Sequence, residues 1–140
     1  MADSHIEVAA GVIVRDGAVL ICQRPAGGDH AGKWEFPGGK LEPGESLPDA
    51  LRRELKEELD IDAVAGPVLW RTQHRYPDRP PVFLTFVLVS EYAGLPTNRA
   101  FAAVCWVAPE RLDQYDFLEA DREFIARMQG GHIRLMSNKS

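Results

Sequence analysis

The segment SLPDALRRELKEEL, residues 46–59, constrains the fold more than any other stretch. Leu47, Leu51, Leu55 and Leu59 recur at every fourth position, which on a helix gives one apolar stripe that must be buried. Ser46 is a good N-cap, and Asp49 three residues later completes a capping-box-like pair. Pro48 falls in the first turn, where amides lack intrahelical partners anyway. The same helix carries Glu54, Glu57 and Glu58. At about 100° per residue these three fall within an arc of roughly 100°, beside the leucines. Like charges at this spacing repel, and carboxylates near a core are costly unless something positive satisfies them. Arg53 and Lys56 are too few to serve all three acids. Hard oxygen ligands converging on one spot suit Mg²⁺ or Mn²⁺, which bind a few carboxylates together with substrate phosphates. A solvated charged face is the plain alternative for such a helix.

The rest of the chain predicts a mixed α/β domain. Residues 6–14, IEVAAGVIV, read as a buried strand. The turn Arg15-Asp16-Gly17 leads into a returning strand over Ala18–Gln23, so the turn and its flanking apolar runs predict a hairpin. Residues 25–32 form a loop, and Trp34-Glu35-Phe36 a short strand that Pro37-Gly38-Gly39 stops. Strands are expected over 68–75, 81–91 and 102–107, with Tyr76–Pro80 as the turn between the first two. A last helix is predicted from about Ala120 to Met128, burying Phe124, Ile125 and Met128. These elements predict one domain over residues 1–130 and a polar, frayed tail over 131–140.

At 140 residues, 45% hydrophobic and 26% charged, the chain has the size and composition of one globular domain. It has no long apolar run for a membrane span, and the N-terminus lacks a basic region before its apolar stretch, so no signal peptide is expected. The net charge of −5 argues against a nucleic-acid polymer as partner, but not against a single nucleotide held through a metal. Cys22 and Cys105 sit in apolar strand contexts without paired spacing, so both are expected as buried thiols in a reducing cytoplasm. His5, His30, His74 and His132 show no paired metal-ligand spacing.

The run from Gly39 to Ile61 resembles the Nudix box, Gly-x5-Glu-x7-Arg-Glu-U-x-Glu-Glu-x-Gly-U, where U is aliphatic. Gly39, Glu45, Arg53, Glu54, Leu55, Glu57, Glu58 and Ile61 match, eight of nine specified positions. WEFPGGKLEPGES, ICQRPAG and DFLEAD are similar to the MutT branch, especially its CTP pyrophosphohydrolase-like members. The resemblance implies the Nudix fold, a mixed β-sheet sandwiched between helices. It implies a hydrolase that uses Mg²⁺, or Mn²⁺ as a substitute, to convert a nucleoside triphosphate to the monophosphate and pyrophosphate by water attack at the β-phosphorus. By the same resemblance Glu57, Glu58 and the Gly39 carbonyl ligate metal, with Glu54 beside them as general base or water-positioner. Arg53 and Glu45 orient that set. Arg24, Phe36, Gly38 and Asp121 contact substrate. Asp121 stands where MutT has an asparagine that reads oxidised guanine. An ionised aspartate accepts only, which suits the amino edge of cytosine or adenine, whereas a protonated one would read oxopurines. N-capping the last helix is its structural alternative.

Two positions depart from the pattern. Asp60 replaces the last glycine of the box, where a left-handed residue is expected at modest cost. Ala100, six residues before Trp106, replaces a glutamate that many MutT-like enzymes use as a further metal ligand; Asn98, Glu91 or water are the candidates to replace it. A hydrolase of ADP-ribose or another dinucleotide, and a non-catalytic Nudix-fold binding module, are the competing readings. A monomer and a homodimer are equally compatible with the sequence.

Overall fold

A computed structural model describes residues 5–135 of the chain. The strands are β1 (Ile6–Arg15), β2 (Ala18–Gln23), β3 (Trp34–Glu35), β4 (Gly38–Lys40), β5 (Asp62–Val64), β6 (Val68–His74), β7 (Val82–Val89), β8 (Glu91–Ala93) and β9 (Ala103–Val107). The helices are α1 (Leu47–Leu59) and α2 (Glu119–Gln129), with a 3-10 helix over Pro109–Gln114. β1 is the centre of the main sheet. It pairs antiparallel with β2 through Val14↔Val19 and with β4 through Ala9↔Gly39, and parallel with β7 from Ile6↔Val82 to Ile13↔Val89. β6 borders β7, while β3 and β9 flank β2.

Because β1 and β7 are apolar on both faces, the sheet needs cover on both sides. Ala9 and Ile13 of β1 and Val87 and Val89 of β7 pack with Leu51, Leu55 and Leu59 of α1. The alternate residues Ala10, Val12, Val14, Leu84, Phe86 and Leu88 pack with Phe124, Ile125 and Met128 of α2. The expected sandwich of a mixed sheet between helices is therefore present. Phe86 and Phe124 lie face to face at 4.1 Å, and Phe36 meets Phe124 edge-on at 5.5 Å. No helix among the described residues is long and apolar enough to cross a membrane.

Several local expectations are corrected. The strand at Trp34 does end before Pro37, at Glu35, but Gly38–Lys40 then forms β4 against β1, which the glycines did not suggest. The expected strand 81–91 is two strands: β7 ends at Val89, and Glu91 opens β8, which forms a separate ribbon with β5. Neither β5 nor the 3-10 helix is expected from sequence. The capping box is half formed. Ser46 Oγ accepts from the Asp49 amide at 3.2 Å, but the Asp49 carboxylate pairs with Arg52. Asp121 is not the cap of α2; the cap position is Leu118, and Asp121 is the third helical residue. The expected fraying of 131–140 does not hold for Ile133 and Leu135, which pack against the α2-side core. Residues 136–140 lie outside the described residues. Cys22 is buried and Cys105 half-buried, and both are free thiols.

Candidate active site

Two local devices place the Gly39 loop against α1. Gly38 takes φ +147°, and a Cβ there would collide with the Ala9 carbonyl oxygen, so only glycine lets β4 approach β1 this closely. At Gly39, a Cβ would lie 2.5 Å from Cδ of Glu54 and 2.6 Å from its Oε2. The glycine keeps a slot open between the loop backbone and that carboxylate.

Arg53 ties the acidic face of α1 to the loop. It donates from Nε and Nη2 to the two oxygens of Glu45 at 2.8 and 2.9 Å, and from Nη2 to the Lys40 carbonyl at 3.1 Å. From Nη1 it donates to Glu54 at 3.0 Å and to Glu57 at 3.5 Å. The fork geometry of guanidinium makes this shared service possible. Hydrogen bonds from Arg53 hold the Glu45 carboxyl down at about 2. Glu58 is outside this knot. It accepts from the Gly38 amide at 3.1 Å, and burial, then the charge of Glu54, pushes its carboxyl up to about 8. Burial likewise raises Glu54, against the pull of Arg53. Lys56 gives no help, because it turns to Asp60 and Asp62.

One cation thus answers Glu45, Glu54 and Glu57, while burial and repulsion hold the fourth carboxyl, Glu58, toward its neutral form. Among the described residues, no three acid, histidine or cysteine side chains are already drawn together as a metal group. The donor set nevertheless fits a hard divalent cation. Glu57 is 60% exposed, Glu58 has no cationic partner among the described residues, and the Gly39 slot beside Glu54 admits a small group.

A cleft of about 400 Å³ opens from this point and runs to α2. Gly38, Gly39 and Glu58 line one end, and Arg24, Phe36 and Asp121 the other, so these sequence-predicted residues share one cavity. Arg24 is no solvated strand end. It donates from Nη1 to both oxygens of Glu35 at 3.1 and 3.2 Å and from Nε to the Asp29 carbonyl at 2.9 Å. The Phe36 ring belongs to the aromatic core, with Phe86, Phe117 and Phe124 around it. Asp121 is 4% exposed, and its Oδ2 has no hydrogen-bond partner among the described residues. Burial, then the charge of Glu35, holds this carboxyl well above the usual range, opposed only by the backbone of Phe36. Such an acid favours its neutral form, with a proton to give and an oxygen to accept.

Glu35, Tyr76 and Arg79 also line the cleft, and sequence reasoning singled out none of them. A charge between Trp34 and Phe36 was the available signal for Glu35; Tyr76 and Arg79 read simply as turn residues. His30 lines the cleft, whereas His74 ends β6 and packs on Tyr76.

Neither proposed substitute for a carboxylate at Ala100 is available. Asn98 uses its side chain within its own loop, donating to the Phe101 carbonyl at 2.9 Å and accepting from the Ala100 and Phe101 amides. Glu91 lines a different cavity, with Arg15 and Ser90. The same loop fastens the end of α1, through Thr97 amide to Leu59 carbonyl at 2.8 Å and Arg99 amide to Glu58 carbonyl at 3.0 Å. Asp60 is left-handed as expected, at φ 58°, ψ 39°, and pairs with Arg99 at 3.0 Å.

Comparison with known proteins agrees with this geometry. A family model described as NUDIX domain matches residues 5–128. CTP pyrophosphohydrolase of Escherichia coli K12 is 43% identical over 116 residues, covering 83% of this chain and 85% of that protein. An 8-oxo-dGTP diphosphatase of Haemophilus influenzae is 40% identical over 124 residues, covering 88% and 90%. The crystal structure of a MutT NUDIX hydrolase from Burkholderia pseudomallei superposes with a TM-score of 0.77 at 27% identity, over 89% of this chain and 98% of that one. With its glutamate-bearing helix docked on a glycine loop inside this mixed sheet, the chain belongs to the Nudix family of hydrolases.

Proposed function

We propose that this protein hydrolyses a nucleoside triphosphate to the monophosphate and pyrophosphate with Mg²⁺. The observation that carries the reading is the single cleft that joins Glu58 and the Gly38-Gly39 backbone at one end to Asp121 at the other. Its volume suits one nucleotide. The similarity to a CTP pyrophosphohydrolase and to 8-oxo-dGTP diphosphatases supports a triphosphate rather than a dinucleotide as substrate.

Glu57, Glu58 and the Gly39 carbonyl would hold the cation, with Glu54 beside them. A bound divalent cation neutralises charge on the phosphate oxygens while the displacement proceeds. Arg53 fixes the direction of Glu54 and Glu57 and keeps Glu45 ionised. Glu54, raised by burial, is suited to take a proton from the attacking water. The water oxygen bonds to the β-phosphorus as the bond from that phosphorus to the α–β bridging oxygen breaks. The bridging oxygen leaves with the monophosphate, and the water oxygen stays in pyrophosphate. Arg24, Phe36, Gly38 and Asp121 line the space left for the nucleoside. Asp121 and Phe36 stand at the nucleobase end, and Arg24 beside them is neutralised by Glu35.

The test is a product-resolved screen with Mg²⁺, and with Mn²⁺ in parallel, over CTP, dCTP, 5-methyl-dCTP, dGTP, 8-oxo-dGTP and ADP-ribose. Monophosphate and pyrophosphate from one triphosphate is the expected result. Cleavage of ADP-ribose alone would move the protein to the dinucleotide class. Silence across the panel would favour a binding module, the reading that the missing carboxylate at Ala100 supports.

A further inference from the structure

The turn between β6 and β7 brings Tyr76 and Arg79 to the cleft that Ala120 and Asp121 of α2 also line. His74↔Val82 closes the hairpin, and Asp78, at φ 63°, bends the turn so that Arg79 comes back over Tyr76. The Tyr76 ring is held on two sides. His74 meets it edge-on at 4.4 Å, and the Arg79 guanidinium lies 5.9 Å from its centroid. Tyr76 lines the same cavity as Asp121, Arg24 and Arg79.

We propose that Tyr76 is a specificity-determining residue, whose hydroxyl hydrogen-bonds the nucleobase across the cleft from Asp121. The inference rests on the nucleotide-hydrolase reading above. A base entering the cleft meets Asp121 from α2 and Tyr76 from the β6–β7 turn, on elements that do not share a hinge. Burial pushes the phenol up, so it keeps its proton and can donate as well as accept. Two polar groups on separate elements constrain both the identity and the tilt of a flat ring, which one carboxyl alone does not. A base that cannot pair with the phenol leaves a half-buried polar group unpaired, and that penalty separates substrates more strongly than shape does.

Tyr76→Phe separates this role from packing, because the ring, its contact with His74 and the Arg79 contact all survive. Steady-state kinetics of the wild-type protein and Tyr76→Phe are compared with Mg²⁺ on CTP, dCTP, dGTP and 8-oxo-dGTP, alongside thermal midpoints. The expected result is a fall of roughly 5- to 10-fold in kcat/KM for the best substrate, carried by KM, the size of one lost hydrogen bond. The poorest substrate should change by less than about 2-fold, so the ranking narrows, with the midpoint unchanged. A uniform change across the panel, or none, overturns the proposal and leaves the hydrolase reading standing. A midpoint lowered by several degrees would overturn it too, since Tyr76 would then serve loop packing. A wild-type protein inactive on every triphosphate overturns both readings together.

Discussion

Arg53 on α1 and Arg24 just after β2 each grip a carboxylate with their guanidinium groups, and the outcomes differ. Glu45, beside Arg53 at the open edge of α1, is held down at about 2. Glu35, beside Arg24 among the cleft-lining residues, is raised, because burial outweighs its arginine. Glu45 accepts from two nitrogens of Arg53 and from the Glu42 amide, whereas Glu35 accepts from a single nitrogen of Arg24, too little to offset its burial. The cleft therefore has a charged end, where Arg53 aims Glu54 and Glu57 beside Glu58, and a base end, where burial raises Asp121 and Glu35. That contrast suits a substrate whose phosphates are strongly charged and whose base is not.

Breaking the charged end should cost most. Glu54→Gln and Glu57→Gln should each lower turnover at least about 100-fold with the fold intact, the scale of losing a general base or a metal ligand. Steady-state rates with circular dichroism check this, and near-normal turnover in both would remove the mechanism. Next in size is Arg53→Ala, which strands Glu45 and Glu54 together. Loss of its charge-assisted hydrogen bonds should reduce stability by about 1.5–3 kcal/mol, read by urea unfolding. Arg53→Lys should not restore it, since an ammonium cannot reproduce the fork.

The base end should respond in kind rather than in amount. Asp121→Asn keeps the shape and fixes a donor where a proton was optional. It should reorder the preferred bases while turnover on the best of them changes by less than about 10-fold, the scale of one or two hydrogen bonds. An unchanged order would remove Asp121 from base recognition. The smallest effect sharpens the contrast through pH. In metal-free protein Glu58 titrates near 8, against 4.5 for the ordinary carboxyl. Below about 4.5 both folded and unfolded chains carry the proton, and this group adds no slope. From there to about 8 the unfolded chain releases a proton that the folded chain keeps, so stability should fall as pH rises. Thermal midpoints in EDTA should show this decline, and added Mg²⁺ should flatten it.

What was legible in the sequence follows from how local each feature is. Arg53, Glu54, Glu57 and Glu58 lie on one helix, so their convergence is written along the chain, whereas the tie from Arg53 to Glu45, which precedes the helix, was implied only by the resemblance to the Nudix box. The apolar runs of β1 and β7 likewise announced strands buried on both faces. β4 was missed because Pro-Gly-Gly reads as a breaker. Its pairing depends on the close approach to Ala9, which only the partner strand reveals. The β5–β8 ribbon was missed because three-residue strands carry no periodicity. The base end is assembled from β2, β3, the β6–β7 turn and α2, so no window of sequence contains it. Trp34 bridges Phe117 to bring α2 alongside, and Tyr76 arrives by a turn whose composition signals only a change of direction.

The parallel register of β1 on β7 also dictates when the protein can come into being. The first strand emerges from the ribosome early, yet its partner is completed only at Val89. The loop holding Gly39 rests on β1, so nothing fixes its place firmly until that later strand arrives. Contacts this distant in sequence slow folding. During synthesis at about 5–20 residues per second, β1 stays unpaired on its β7 side for several seconds. A nascent chain halted before Val82 should be protease-sensitive through α1, however complete the glutamate helix already is.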